Sequence, residues 1–228
     1  KTGTLTRNEM TVRSIATERD LFELDGTGYD PHGDIMLAGQ PVTTENYPLL
    51  SEITRAAVLC NNATLDQKNE VWRANGDPME GALLVAGLKA GLETTRISEF
   101  FPRTDLIPFE SEHKFMATLH HDHDGHAFVF VKGAPESILK MCSAQRTRHG
   151  DEPLDENYWL ERMEEMGRLG QRVLAIATRS VDYQQLELQF SDVEEGLVML
   201  GMFGLIDPPR NEAIAAVKQC SEAGIRVK

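Results

Sequence analysis

The residues best placed to do chemistry follow an apolar segment and spell Lys132-Gly133-Ala134-Pro135-Glu136. Residues 128–131 before them are aromatic or β-branched, which predicts a strand covered on both faces. Gly133 permits a sharp turn or a close backbone approach, and Pro135 suits the first turn of a helix predicted to run to Met141. Lys132 is therefore predicted at a strand-to-helix corner, where a cation beside a helix N-terminus can bind phosphate. A lysine at a strand end is more often only solvated, so both interpretations stay open.

A second group has an aromatic residue followed by a lysine and a methionine: Phe109, Lys114 and Met116. Residue type alone predicts Phe109 in the core and Lys114 on the surface. An aromatic face can also stack on a purine for about 1–3 kcal/mol, and a nearby lysine adds attraction to the ring or to phosphates.

Glu80 and Arg172 are charged residues with an ordinary structural explanation. Asp77, Pro78 and Glu80 occupy the cap, first and third positions of a predicted helix, which indicates a capping box without any ligand. Arg172 precedes a predicted strand, where an arginine is more often a surface residue.

Residues 120–126, His-His-Asp-His-Asp-Gly-His, contain several metal-ligand types. They lie between two predicted strands and include Asp-Gly, which is typical of a hairpin turn, and the rest of an EF-hand loop is missing. We predict a hairpin here, not a physiological metal site. Cys60, Cys142 and Cys220 are widely separated in apolar helical patterns, as expected of reduced core thiols.

Many short strands and a few helices must position these residues. The fold class predicted is α/β (α+β), a largely antiparallel sheet flanked by helices. The first two strands are predicted to form a sheet edge. Predicted helices are 48–60, one from Pro78, 136–141, 155–169 and 211–223; predicted strands are 9–16, 20–24, 103–109, 113–121, 128–131, 171–177, 196–206 and 225–228.

The 228 residues are 41% hydrophobic, enough to bury a sizeable core. Lys and Arg number 23 against 36 Asp and Glu, and the net charge of −13 argues against binding nucleic acid or anionic lipid. The longest mostly apolar run, 196–206, is shorter than the roughly 20 residues that span a bilayer. Because the sequence opens at Lys1 without a methionine or signal peptide and stops inside a predicted strand, we expect a piece of a larger protein.

Three motifs in the chain resemble those of P-type ATPases, the cation pumps that pass through an aspartyl-phosphate. Residues 132–136 resemble the KGAPE motif of the nucleotide-binding domain. Lys1-Thr2-Gly3-Thr4-Leu5-Thr6 resembles the DKTGTLT phosphorylation motif without its first residue, and Asp207-Pro208-Pro209-Arg210 resembles the DPPR hinge motif. The order matches across the whole chain. The resemblance implies the nucleotide-binding (N) domain fragment of a type II cation-transporting pump, since the His-Pro pair of heavy-metal pumps does not occur.

The resemblance also implies roles for single residues. Glu80 would accept a hydrogen bond from the adenine amino group, and Arg172 would reach the phosphates. The cofactors implied are ATP and, in the intact protein, Mg²⁺, held partly by the backbone of Thr2. No catalytic residue is expected within the chain, because the phosphorylated aspartate would precede Lys1. The nucleotide-binding residues implied are Glu80, Phe109, Lys114, Met116, Lys132, Gly133, Arg172, Asp207 and Arg210.

The resemblance implies a domain plan as well. Residues 12–203 would form the N domain, and residues 1–11 and 204–228 would be hinge and stubs of the phosphorylation domain. Partners would be ATP and the phosphorylation and actuator domains of the same chain, with no nucleic acid. The parent would be an integral membrane protein with this domain on the cytoplasmic side, and the fragment would be soluble and monomeric. The transported ion is not decided.

Two other classes of function remain open. A free-standing phosphatase or kinase of the same phosphoaspartate superfamily would need its own aspartate before Lys1. A non-catalytic interaction domain that has lost nucleotide binding would show loss of Phe109, Lys114, Lys132 or Arg172, and all four are present.

Overall fold

A computed structural model describes residues 4–69 and 71–226 of the chain. Most of its strands join one eleven-stranded sheet, and two form a separate hairpin. The described strands are β1 Thr11–Ala16, β2 Leu21–Leu24, β3 Ile35–Leu37, β4 Gln40–Val42, β5 Thr64–Lys68, β6 Val71–Asn75, β7 Arg103–Ile107, β8 Phe115–His121, β9 Ala127–Gly133, β10 Cys142–Thr147, β11 Gly150–Pro153, β12 Arg172–Val181 and β13 Leu197–Ile206. The helices are α1 Pro48–Leu59, α2 Pro78–Lys89, α3 Thr94–Phe100, α4 Pro135–Met141, α5 Glu156–Arg168 and α6 Asn211–Glu222.

The main sheet runs β4-β3-β2-β1-β13-β12-β9-β8-β7 with antiparallel neighbours. β10 joins β13 in parallel and β11 in antiparallel fashion. The predicted fold class is therefore confirmed. The prediction that β1 and β2 form a sheet edge is wrong, because β1 pairs with β13 and the short strands β3 and β4 continue the sheet beyond β2.

The sheet is covered on both faces, so alternate residues of one strand enter different cores. On β8 and β9, Met116 and Phe130 join a core that also contains residues of α1 and α2. Phe115, Val129 and Val131 join a second core with residues of α4 and α5. The prediction that β9 is covered on both faces is confirmed.

The predicted helices are confirmed to within a residue or two at their ends. Asp77 caps α2 and Asp155 caps α5, each side chain accepting a backbone hydrogen bond of the first turn. α6, like α3, buries no side chain, and Ile214 and Val217 on its apolar stripe are 54% and 47% exposed. The strand predicted at 225–228 is absent at Ile225 and Arg226; the last two residues lie outside the described part.

Two segments near the ends of the described chain run side by side and form what we call the neck, residues 5–8 and 207–211. Thr6 and Pro209 make an antiparallel bridge, and the amide of Arg7 donates to the Pro208 carbonyl at 3.0 Å. The amide of Arg210 donates to the Leu5 carbonyl at 2.8 Å. The neck continues directly into β1 and out of β13, which are paired neighbours. Within the described residues, no helix combines the length and apolarity that a bilayer crossing needs.

Candidate nucleotide-binding site

Strand register brings most of the predicted site residues to one end of the sheet. β8 begins there and β9 ends there, with Met116 opposite Lys132 and Phe115 opposite Gly133. β12 begins at the same end with Arg172, which is opposite Leu205 near the end of β13. The loop 108–114, which carries Phe109 and Lys114, leads into β8. Residues far apart in sequence thus share one rim.

Lys132 is buried and forms an ion pair across the sheet–helix interface. Its Nζ lies 2.7 Å from Oε1 of Glu80, with only 8% and 14% of the two side chains exposed. The second oxygen, Oε2, accepts a 3.2 Å hydrogen bond from the Asn62 amide. The capping-box prediction is thus only half right: Asp77 caps α2, but the Glu80 carboxylate contacts Lys132 and Asn62.

Met116 and Gly133 lie beside this pair and form the floor of the candidate site. Met116 is fully buried and lies opposite Lys132 in the strand register. A Cβ atom at Gly133 would lie 2.4 Å from the Lys114 carbonyl oxygen and 2.8 Å from Cβ of Phe115. Only glycine permits this close approach between the end of β9 and the residue before β8. The hydrogen bond from the Ala134 amide to the Lys114 carbonyl, 3.0 Å long, also holds these two segments together.

Phe109 and Lys114 lie on the solvent side of the rim. Phe109 is 58% exposed, so the prediction from residue type that it belongs to the core is wrong, and the surface prediction for Lys114 is confirmed. Lys114 has a left-handed backbone, φ 59°, and its Nζ lies 3.7 Å from a carboxylate oxygen of Glu136. An exposed ring and an exposed cation therefore lie in the loop that leads into β8, the strand whose Met116 is opposite Lys132.

The remaining predicted residues divide between the rim and the neck. Arg172 is exposed at the start of β12, as its structural explanation predicted. The Asp207 carboxylate accepts hydrogen bonds from Thr6 Oγ1, at 2.6 Å, and from the Asn8 amide, at 2.9 Å. Nε of Arg210 donates to the Thr6 carbonyl at 2.9 Å. The contacts that the structure gives Asp207 and Arg210 thus join the two halves of the neck; Thr2 lies outside the described residues.

Comparison with known proteins adds to this geometry. Residues 49–212 match the family described as P-type ATPase, cytoplasmic domain N. The cation-transporting ATPase pma1 of Synechocystis is 40% identical over this whole chain, which spans 26% of that relative. The calcium-transporting ATPase of Bacillus subtilis is 31% identical over 99% of the chain, and calcium-transporting ATPase type 2C member 1 of Bos taurus is 34% identical over all of it.

The chain belongs to the P-type ATPase domain N family.

The chain spans about a quarter of the length of these relatives. The family match begins inside α1 and ends inside α6, so it contains the whole rim from Glu80 to Arg172. The resemblance inferred from the three motifs is thereby confirmed.

Sequence reasoning missed three residues that support the Glu80 carboxylate in this N domain. Nη1 of Arg103 donates to Oδ1 of Asn62 at 2.7 Å and to the Asn61 carbonyl at 3.3 Å. Nδ2 of Asn61 donates to the Glu80 backbone carbonyl at 2.9 Å. The only sequence signal was the Asn-Asn pair after α1, which indicated a helix end and nothing about its partner.

Two histidine-containing segments also have a defined place in the N domain. The hairpin predicted over residues 120–126 is confirmed, with Gly125 in the left-handed region at φ 90°. Next to Phe109, the side chains of Glu110, Glu112 and His113 come close enough together to share a cation. Clusters of exposed acidic residues are common at protein surfaces, so we assign this one no role.

Proposed function

We propose that this N domain binds ATP at the rim between the loop 108–114, the end of β9 and the start of α2. The adenine ring stacks on the exposed face of Phe109, and the Glu80 carboxylate accepts a hydrogen bond from the adenine amino group. Lys114 and Arg172 contribute positive charge toward the phosphates, while Lys132 and Gly133 form the floor with Met116 below them.

The observation that carries this proposal is the buried ion pair of Lys132 and Glu80. Desolvating an ammonium and a carboxylate costs free energy that their mutual attraction only partly returns, so a buried pair is weak evidence for stability. Lys132 emerges among apolar side chains of the sheet, Met116 and Ile176 being its register neighbours. A polar pair at that position is explained if a nucleotide uses both partners.

The proposal extends to the whole pump. The γ-phosphate of bound ATP is presented to an aspartate that precedes Lys1; its carboxylate attacks the phosphorus, an acyl-phosphate forms and ADP leaves. Mg²⁺ would be held by the backbone of Thr2 together with residues of the phosphorylation domain, and it would neutralise charge on the phosphates. Residues 12–203 act as the N domain on the cytoplasmic side of the membrane, and residues 1–11 and 204–228 lead into the phosphorylation domain. The cycle, which also involves the actuator domain, drives cation transport.

The test is an ATP titration of the isolated domain followed through amide chemical shifts. The residues that respond should cluster at 62, 80, 109–116, 132–134 and 172. Lys132→Met should weaken ATP binding at least fivefold, because it removes a cation from the floor, whereas Lys140→Met should leave it unchanged, since Lys140 lies exposed in the last turn of α4. Absence of any saturable shift would favour the non-catalytic interaction domain, and a responding cluster elsewhere would displace the site.

A further inference from the structure

Asn62 lies at the corner that follows α1, and one donor of its side chain is not used by the fold. Its backbone amide donates to Oε2 of Glu80 at 3.2 Å, and its Oδ1 accepts a 2.7 Å hydrogen bond from Nη1 of Arg103. Among the described residues, none accepts a hydrogen bond from its side-chain nitrogen Nδ2, and Asn62 is exposed. An unused donor therefore belongs to the same residue that already contacts the Glu80 carboxylate.

Arg103 decides which way the Asn62 amide faces. A guanidinium group has only donors, so the amide must turn its oxygen, and not its nitrogen, toward Arg103. The NH₂ group is bonded to the same carbon as Oδ1 and is therefore directed away from Arg103. Because the oxygen and nitrogen of an amide have nearly the same size, an amide without such a partner can turn over and present an acceptor instead. Arg103 thus fixes Asn62 as a donor on its free side.

The backbone that carries Asn62 is itself held in place by its neighbour Asn61, which is only 9% exposed. Nδ2 of Asn61 donates to the backbone carbonyls of Glu80, at 2.9 Å, and Ala57, at 3.4 Å. Its Oδ1 accepts a hydrogen bond from the Ala63 amide at 2.9 Å. The corner after α1 and the first turn of α2 are therefore joined, and Asn62 keeps its position relative to Glu80.

Glu80 supplies an acceptor beside this donor. Lys132 donates to Oε1 at 2.7 Å and the Asn62 amide donates to Oε2. A carboxylate has about four acceptor positions, so lone pairs remain for a ligand. Glu80 and Asn62 thus offer an acceptor and a donor, the combination with which a single Asn or Gln amide binds adenine. The Watson–Crick edge of adenine has the complementary pair, an amino group that donates and a ring nitrogen, N1, that accepts.

We propose that Asn62 determines base specificity: its Nδ2 donates to N1 of adenine while Glu80 accepts from the amino group, and Arg103 is the positioning residue that orients the amide. This inference rests on the proposed ATP site at the rim. A 6-oxo purine has the reverse pattern, with an acceptor at O6 and a donor at N1. It would bring an acceptor to Glu80 and a donor to Asn62, so inosine and guanine nucleotides are disfavoured.

The experiment compares ATP with ITP and with 1-deaza-ATP, in which a C–H group replaces N1 and the amino group is kept. In NMR titrations of this chain, ATP should bind about three- to tenfold more tightly than 1-deaza-ATP, the range expected for one hydrogen bond. It should also bind more tightly than ITP. Equal affinity for ATP and 1-deaza-ATP would overturn this inference and leave the ATP site standing. Absence of saturable binding by all three nucleotides would overturn both proposals.

Asn62→Asp keeps an oxygen for Arg103 and replaces the free donor with an acceptor. The ratio of ATP to 1-deaza-ATP affinity should fall to about one, and ITP should gain relative to ATP, because its N1–H now meets an acceptor. Asn157→Asp is the matched control, since it adds the same charge at an exposed position in the first turn of α5 and should keep the parental ratio. A parental ratio in folded Asn62→Asp would overturn the role of Asn62.

The positioning role of Arg103 is tested through the same ratio. Arg103→Met should lower it, because the amide can then turn over, whereas Arg103→Lys still offers a donor to Oδ1 and should keep most of it. A purely structural role would weaken ATP and 1-deaza-ATP alike and leave the ratio unchanged, and that result in folded Arg103→Met would remove Arg103 from the proposal. Should Arg103→Met fail to fold, the comparison of the parent with Asn62→Asp decides.

Discussion

Phe109 is an apolar side chain that the fold leaves largely in solvent, and its proposed role can be tested by one substitution. Phe109→Ala should weaken ATP, ADP and AMP by a similar factor of about five or more, because all three share the adenine ring that stacks on it. Salt should hardly alter this loss. Phe100→Ala is the matched control, since Phe100 is comparably exposed but lies on α3. Unchanged binding of all three nucleotides by folded Phe109→Ala would place adenine elsewhere.

Arg172 should act on the phosphates and not on the base. Arg172→Ala should weaken ATP and ADP about two- to fivefold while changing AMP less, because an exposed ion pair contributes only about 0.5–1 kcal/mol. The difference should shrink as salt screens the charges. Arg168→Ala, which removes an exposed arginine from the end of α5, should have no such pattern. Isothermal titration at two ionic strengths measures the nucleotide affinities of both variants. If AMP lost as much affinity as ATP and ADP, Arg172 would not be a phosphate contact.

Among the elements, β9 depends on a close approach to β8 at Gly133. Gly133→Ala should lower the free energy of unfolding by about 1–3 kcal/mol, because its Cβ would overlap backbone and Phe115. Gly167→Ala, in α5 where an added Cβ meets no atom within 4 Å, should raise that free energy by about 0.5–1 kcal/mol. Urea titrations of the two variants provide the measurement. A neutral Gly133→Ala would mean that the loop before β8 yields easily.

β8 carries a pH dependence through His120. Its pKa is about 4 in the folded protein, mainly because of burial, and near 6.5 in the unfolded chain. As the pH falls, the unfolded state therefore binds the proton first. The contribution of His120 to the free energy of unfolding is fully present above pH 6.5, and up to about 3 kcal/mol of it is lost as the pH drops to 4. The difference in unfolding free energy between the parent and His120→Leu should therefore change with pH over this range. Parallel curves for the two proteins between pH 6.5 and 4 would contradict it.

The elements also mark what the sequence could predict. α1, α2, α4 and α5 have proline or aspartate at their first turns, and these local signals set their starts. β4, β5 and β11 are short and largely exposed, so neither alternation nor an apolar run predicted them. Cys142 begins β10, so the prediction that it lies in a helical pattern is wrong, while Cys60 is a buried core thiol as predicted.

The candidate site was predictable in its parts but not in its contacts. Motifs indicated Phe109, Lys114, Lys132 and Gly133, and each lies on the rim. The pairing of Lys132 with Glu80 joins residues 52 positions apart, and it depends on how α2 packs on the sheet. The contacts of Arg103 with Asn61 and Asn62 depend on the same packing, and the periodicity of a single segment carries no information about it.

For the whole molecule, the proposed division of the phosphate site between domains leads to a prediction. The isolated chain should bind ATP weakly, with a Kd on the order of 0.1–10 mM, because one stacking contact and a few exposed cations provide most of the attraction. Mg²⁺ should not tighten binding, and no label should be transferred from γ-labelled ATP. Calorimetry and filter assays test these points. Sub-micromolar or Mg²⁺-dependent binding would show that the phosphate site is complete within the chain.

The neck has a mechanical consequence. Its two segments are joined by hydrogen bonds, so a rotation at the neck would turn the sheet as one body, whereas a single unpaired segment would bend. The rim lies at the same end of the sheet as the neck, so it would be near the pivot of such a rotation. The hairpin tip at 122–126 lies about 20 Å farther along β8. A small rotation would carry the rim through a short arc, while the hairpin tip would travel farther and would report the motion more clearly.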